Sequence, residues 1–376
     1  NHGRRWQRLA NELPLVAITD LVVAGDELVA ATQGRAFWSF DGLPHLRQLH
    51  AGLAQKDLHV FTPVPVAQFS GRGRAGKNEG VNPATNMHVR FYVGGDEEAK
   101  LEELVTVEIK DVDGKVVYSR SSAPVAKKPD SKAEKLVTKN AGDDSEGEAE
   151  DKDEDKPLEV SRGMNNIEIT WKEERAKILE GMILWSGRGG AARVAPGDYT
   201  VTVTVGEQSQ TVVGRINPDP RTDATIADLQ ARYRLVRDGN ALVTEAHEAI
   251  ESIRSLREQM AATVARMEEG QNLDKLKAVE TAANDEFTSI EETLYQTKSK
   301  SRQDPLNYPI KLTDKLLGVL SATNRAEFGP TNGQRDVAAQ LSAAIKVELA
   351  RFKSAKALHV DEFNKLARAL AAPHIK

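Results

Sequence analysis

At 376 residues the chain exceeds one ordinary core, so two or three domains are expected. Its net charge is −5, with Lys and Arg spread along the chain and not gathered on a basic face, which argues against nucleic-acid binding. The absence of cysteine excludes disulfides, thiolate metal sites and a cysteine nucleophile, and no apolar run reaches the roughly 18 residues of a membrane helix.

The chain opens on Asn1 without the basic and apolar regions of a signal peptide, so any such leader would lie upstream of it. Leu15 to Val23, Leu28 to Thr32 and Phe37 to Phe40 are apolar runs separated by Gly25-Asp26 and Gln33-Gly34-Arg35 turns, which predicts a meander, one blade's worth of sheet. So small a meander cannot bury both faces by itself, and its edges carry unpaired N–H and C=O groups. A neighbour from outside it is expected. Residues 51–85 lose periodicity and gain Pro63, Pro65 and several glycines, and are expected to link domains without forming core.

Strand patterns resume in a region spanning 86–218. They run from Met87 to Val93, Leu104 to Lys110, Val116 to Tyr118, Asn166 to Trp171, Tyr199 to Val205 and Gln210 to Ile216. Tyr199, Val201, Val203 and Val205 alternate with Thr200, Thr202 and Thr204, the period of a half-buried antiparallel strand. Six such runs with no helix between them predict a β-sandwich of the fibronectin or immunoglobulin type. Residues 121–157 interrupt it with Ser, Pro and Lys and then an acidic block, too poor in apolar surface to offset the entropy of ordering, so a disordered insertion is expected there.

After Asn217-Pro218-Asp219-Pro220 the period becomes helical, and residues 222–376 form a predicted helical domain. Leu229, Tyr233, Val236, Val243, Ile250, Ile253, Met260, Val264 and Met267 define one long amphipathic helix that Gly270 is expected to end. Further helices are predicted over Leu273 to Lys298, Lys311 to Ser321, Gln334 to Lys356 and Asp361 to Ala371, and their apolar stripes suit an antiparallel bundle. The fold class expected is thus multidomain, β then α: blade strands of a propeller over residues 1–50, then a sandwich, then a helical bundle.

The opening residues carry a resemblance. Asn1-His2-Gly3-Arg4-Arg5-Trp6 is similar to the back half of an Asp-box, the Asp-x-Gly-x-x-Trp turn of sialidase-like and sortilin-like propellers, with Asn1 in place of Asp. The run from Asp26 through Gly34-Arg35-Ala36-Phe37-Trp38 to Asp41 resembles the closing blade of bacterial sortilin-like propeller proteins, often catalogued as glycosyl hydrolases. Their turn usually reads Thr-His-Gly-Arg, and Gln33 departs from it. Gly163-Met164-Asn165, Ala195-Pro196-Gly197-Asp198-Tyr199 and Pro305-Leu306-Asn307-Tyr308-Pro309-Ile310 resemble later parts of the same family. The resemblance implies an extracellular or periplasmic protein whose upstream part holds most of the propeller, and any glycosidase chemistry with it.

Candidate chemistry is sparse. Gly71-Arg72-Gly73-Arg74-Ala75-Gly76 matches a dinucleotide fingerprint in letters, but Asn78, Gly80 and Pro83 follow where a helix would have to take the phosphate, so a loop is expected. Asp151 to Asp155 lacks the turn glycine and distal glutamate of a calcium loop and reads as a solvated acidic tract. His247 lies on an apolar helix stripe with no second ligand at metal spacing, so an interior, hydrogen-bonded role is expected. Glu173 and Glu174 are adjacent and do not make the pair of carboxyls, about 5 to 10 Å apart, that glycoside hydrolysis requires.

No catalytic residues, cofactor or metal site are therefore assigned. Asn1, Gly3, Trp6, Gly34, Arg35 and Trp38 are expected to serve turns and packing, with Trp6 lying between sheets. Trp171, Trp185 and Tyr199 are candidate contacts for a sugar or a partner, core packing being their other use. The function expected is a non-catalytic structural and interaction region docking on the propeller. The partner is the upstream propeller of the same protein or another subunit, a homo-oligomer included, with no nucleic acid and no membrane span. The alternatives are the accessory region of a secreted glycoside hydrolase and a carbohydrate-binding sandwich.

Overall fold

The computed structural model describes Arg4, Trp6 and residues 15–40, 42–49, 52–68, 86–96, 98–123, 157–169, 171, 175–187, 189–267 and 271–371. The chain is β-structured first and helical afterwards. Strands β1 (Ile18–Ala24), β2 (Glu27–Thr32) and β3 (Phe37–Phe40) form an antiparallel meander of their own. A short helix, α1 (Leu43–Gln48), then leads to β4 (Leu58–Val60) and β5 (Val66–Ala67).

Two further sheets are assembled from β4, β5, β6 (Met87–Val93), β7 (Val105–Lys110), β8 (Val116–Ser121), β9 (Gly163–Ile169), β10 (Gly197–Val205) and β11 (Gln208–Asn217). One has the order β4-β6-β9 and the other β5-β11-β10-β7-β8. Alternation decides which side chains turn inward. Met87, Val89, Phe91 and Val93 of β6 and Tyr199, Val201, Val203 and Val205 of β10 are all buried, and they share one apolar cluster that spans both sheets. The register sets Val201 opposite Ile109 on one side and Val212 on the other.

The stretch 51–85 does not stay outside the core as expected. Val60 and Phe61 are buried, β4 pairs with β6, and β5 runs parallel to β11, so residues 58–67 cross from one sheet to the other. Pro63 and Pro65 fall between the two strands, where no ladder N–H is required. The glycine run and most of the acidic insertion lie outside the described residues.

The helical region comprises α2 (Ile226–Val264), α3 (Gln271–Leu294), α4 (Leu312–Arg325) and α5 (Asn332–Ala371). Thr225 starts α2 with a capping box: its hydroxyl accepts the Asp228 N–H and the Asp228 carboxylate accepts the Thr225 N–H. α2 ends at Val264, before Gly270, which lies outside the described residues. Phe287, Ile290, Leu316, Leu317, Ile345 and Phe352 meet in a single apolar cluster drawn from all four helices.

Two expected helices, Gln334 to Lys356 and Asp361 to Ala371, are one continuous helix of 40 residues. The intervening Ala357-Leu358-His359-Val360 contains neither Gly nor Pro, and α3 holds it in place. His359 Nε2 lies 2.9 Å from the Glu286 carboxylate and its ring meets Phe287 edge-on. No described helix is long and apolar enough to cross a membrane.

Candidate functional site

The meander presents a run of exposed apolar side chains. The β1–β2 hairpin turns at Gly25, whose φ of +61° a residue with a Cβ would adopt only at a cost. The register then puts Leu21, Ala30 and Trp38 in one cross-strand row and Val22, Val29 and Ser39 in the next. Successive rows face opposite sides, so Leu21, Val23, Leu28, Trp38 and Phe40 share one face while Val22, Val29, Ala31 and Phe37 share the other.

Both faces therefore carry apolar side chains, the second with Asp20, Glu27 and Ser39 among them, where the Ser39 hydroxyl donates to the Glu27 carboxylate. Every residue of β1 is exposed, Phe37 is 78 % exposed and Leu21, Val22 and Val23 are each more than half exposed. Among the described residues no strand pairs with the outer edge of β1 or of β3.

Gly34 and Arg35 form the second turn, Gly34 with φ +82°. Trp38 Nε1 donates to the Arg35 carbonyl at 2.9 Å, so the Trp clasps the turn that precedes it. Ala36 takes φ +58° to let its carbonyl accept from both Thr32 N and Thr32 Oγ1. Trp6 is 88 % exposed and does not lie between sheets as expected, while Asn1 and Gly3 lie outside the described residues.

α1 fastens the meander to the rest. Arg47 pairs with Asp26 at 2.6 Å, and on the other side Arg90 of β6 donates to Nδ1 of the buried His45. Burial first, and then the Arg90 and His88 charges, push the His45 pKa down to about 4.

The three candidate sugar-stacking aromatics are not brought together. The Tyr199 ring is buried beside that of Trp171, with centroids 5.1 Å apart, and its hydroxyl donates to the Ala195 carbonyl. Trp185 is 54 % exposed and sits elsewhere, its backbone N–H bonded to Asp314 of α4. An exposed platform of all three does not form, because Tyr199 and Trp171 are used in and against the sheet core.

Sequence reasoning missed a strap. Residues 175–187 and 189–195 run without helix or strand, and side chains of the helical region bond to their backbone. Thr244 accepts the Lys177 N–H, and His247, fully buried, donates from Nδ1 to the Lys177 carbonyl. Asn240 donates to the Gly190 carbonyl, and Asn324 both accepts from Arg193 N and donates to the Ala191 carbonyl. Asp314 takes Trp185 N and Ser186 N on its two oxygens, and Tyr295 takes Ile183 N. A run of Asn, Asp, Thr and His on otherwise apolar helix faces was the available signal.

A second contact joins the β and α regions. Arg234 of α2 makes a two-pronged pair with Asp113 at the β7–β8 turn, and Arg237 lies 3.6 Å from Asp111. Among the described residues no group of acidic and histidine side chains is arranged to hold a metal ion.

Against family models, curated proteins and solved structures, the chain finds no match.

Proposed function

We propose that the chain is a structural and interaction region that docks through its opening meander onto further β-structure, as a closing blade does on a propeller. The observation that carries this reading is the meander with exposed apolar side chains on both faces and, among the described residues, two unpaired edges. Such a sheet is stable when neighbours cover both faces and pair its edges, the condition of a blade inside a propeller. The sortilin-like resemblance of Asp26 to Asp41 points the same way, and with it a secreted protein.

On this reading the two β-sheets are a sandwich of the immunoglobulin or fibronectin type. Their shared core supports it, as does Tyr199, whose hydroxyl bonds back to Ala195 at a strand start in the manner of a tyrosine corner. The helices are a bundle that braces the sandwich through the strap and through Arg234 and Asp113. The role on this reading is support and presentation.

Amide exchange decides the matter. In this chain alone the amides of Ile18–Ala24 exchange quickly; in the protein carrying the preceding propeller sequence they become protected by at least tenfold. Equal exchange in the two forms, or slow exchange of β1 in the isolated monomer, would end the reading.

A further inference from the structure

The loop between α3 and α4 gathers cations that no nearby acid neutralises. Residues 296–315 carry Lys298, Lys300, Arg302, Lys311 and Lys315 against two acids, Asp304 and Asp314, in a chain whose net charge is −5. Both acids are turned to backbone groups. Asp304 accepts from the N–H of Lys300, the N–H of Ser301 and the Ser301 hydroxyl, bonds that hold its carboxyl below the ordinary range. The buried Asp314 is occupied by Trp185 N and Ser186 N. Among the described residues none of the five cations takes part in an ion pair.

The fold of the loop sets these charges beside exposed apolar groups. Gln296 donates to the Pro309 carbonyl and accepts the Lys298 N–H, which brings Lys298 to the Tyr308-Pro309 stretch. Asp304 holds Lys300 against the single 3₁₀ turn Asp304–Leu306, and its own carbonyl accepts the Tyr308 N–H. Lys311, at the start of α4, lies on one ridge of that helix with Lys315 and Gly318. Ser186 is seated against Gly318, so Trp185 comes down beside the same ridge. Leu306 is 75 % exposed, Trp185 54 % and Tyr308 39 %.

We propose that this basic loop, with Trp185 at its side, is a docking surface for an acidic peptide segment of a partner protein, one that alternates carboxylates with apolar side chains. Charge complementarity selects the partner: the loop offers cations with no competing carboxylate, and like-charged partners are repelled. The aromatic and leucine side chains supply the apolar contact that the centre of an interface needs. A bilayer surface is held instead by an amphipathic helix that buries a continuous apolar stripe. Here the apolar groups stand singly around one turn of three residues, which suits an extended peptide. The surface lies in the helical region and does not depend on docking of the meander.

Fluorescence anisotropy of a labelled peptide of alternating Glu and Leu, titrated with the whole chain, tests the surface. A saturable rise is expected that weakens as salt is raised and disappears when Gln replaces Glu in the peptide. Lys298→Glu combined with Lys315→Glu weakens binding by about tenfold or more, since two attractions become repulsions, whereas Lys298→Arg with Lys315→Arg retains it. Trp185→Ala weakens it severalfold while keeping the backbone bonds to Asp314. All three side chains are exposed, so these variants fold. The control reverses two exposed cations of α5, Lys346 and Lys365, and leaves binding unchanged. An equal loss in the control would mean general charge attraction, and binding to phosphatidylglycerol vesicles but not to the peptide would assign the loop to a membrane surface. Either result, or a peptide that does not saturate, overturns the proposal.

Discussion

Asp314 accepts the backbone N–H of Ser186 at 2.8 Å, and with its second oxygen that of Trp185 at the same distance. One buried carboxylate on α4 thereby anchors the strap that joins the sheets to the helices. Asp314→Ala orphans two backbone donors at about 1–3 kcal/mol each, so a total loss of about 2–6 kcal/mol is expected in urea unfolding. Asp314→Asn recovers only part, because its amide NH₂ must then face one of the two N–H groups.

The strap lies so close to α4 that Gly187 has no room for a side chain. A Cβ there would meet the Leu317 carbonyl oxygen at 2.4 Å, a backbone atom that cannot turn aside. Gly187→Ala is expected to lift the strap locally and cost about 1–3 kcal/mol, as overpacking does. The amides of Trp185 and Ser186 should exchange faster in that variant, and unchanged exchange would show that the strap yields without strain.

Much of the β architecture is legible in residue alternation, and the strap is not. Met87 to Val93 and Tyr199 to Val205 announce their strands because every second side chain is apolar and each strand has one buried face. Helix stripes are as clear, but where one helix stops depends on its neighbour: His359 bonds to Glu286 and the helix runs on past the point where its own periodicity wavers. β4 escapes notice because three residues, Leu58–Val60, are too few to show a period, and their pairing with β6 lies some thirty residues away. The strap has no period at all. Its bonds run from backbone to side chains on helices, from Lys177 to Thr244 and from Arg193 to Asn324, and only folding brings such partners together. The ion pair of Arg254 and Glu291 is hidden for the same reason, since the two residues lie on different helices.

Ala36 carries the one positive φ outside glycine among the described residues. The left-handed region costs a residue with a Cβ about 1–2 kcal/mol, while glycine brings an unfolded-state entropy penalty of about 0.5–1 kcal/mol. Ala36→Gly should therefore stabilise the β2–β3 turn by about 0.5–1 kcal/mol. The readout is slower exchange of the Thr32 amide, which bonds to the carbonyl of residue 36. Faster exchange would mean that the turn has no strain to relieve.

His45 gives the link between the meander and the sheets a pH dependence whose sign follows from its surroundings. Its pKa is pushed down to about 4 from the ordinary 6.5 by burial, by the Arg90 charge and by His88. Between those values the unfolded chain binds the proton and the folded chain does not, so folded stability falls as pH drops from 6.5 towards 4 and the loss levels off below. Protonation would also set a cation against the Arg90 guanidinium, which now donates to Nδ1. His45→Asn keeps an acceptor for Arg90 and cannot titrate, so the difference in stability between the unaltered chain and this variant isolates the histidine from the carboxylates that titrate nearby in pH. That difference should slope only between pH 4 and 6.5, with α1 amides losing protection over the same window. Parallel stability curves for the two proteins would show that His45 is solvated in the folded state and that α1 is held by Arg47 and Asp26 instead.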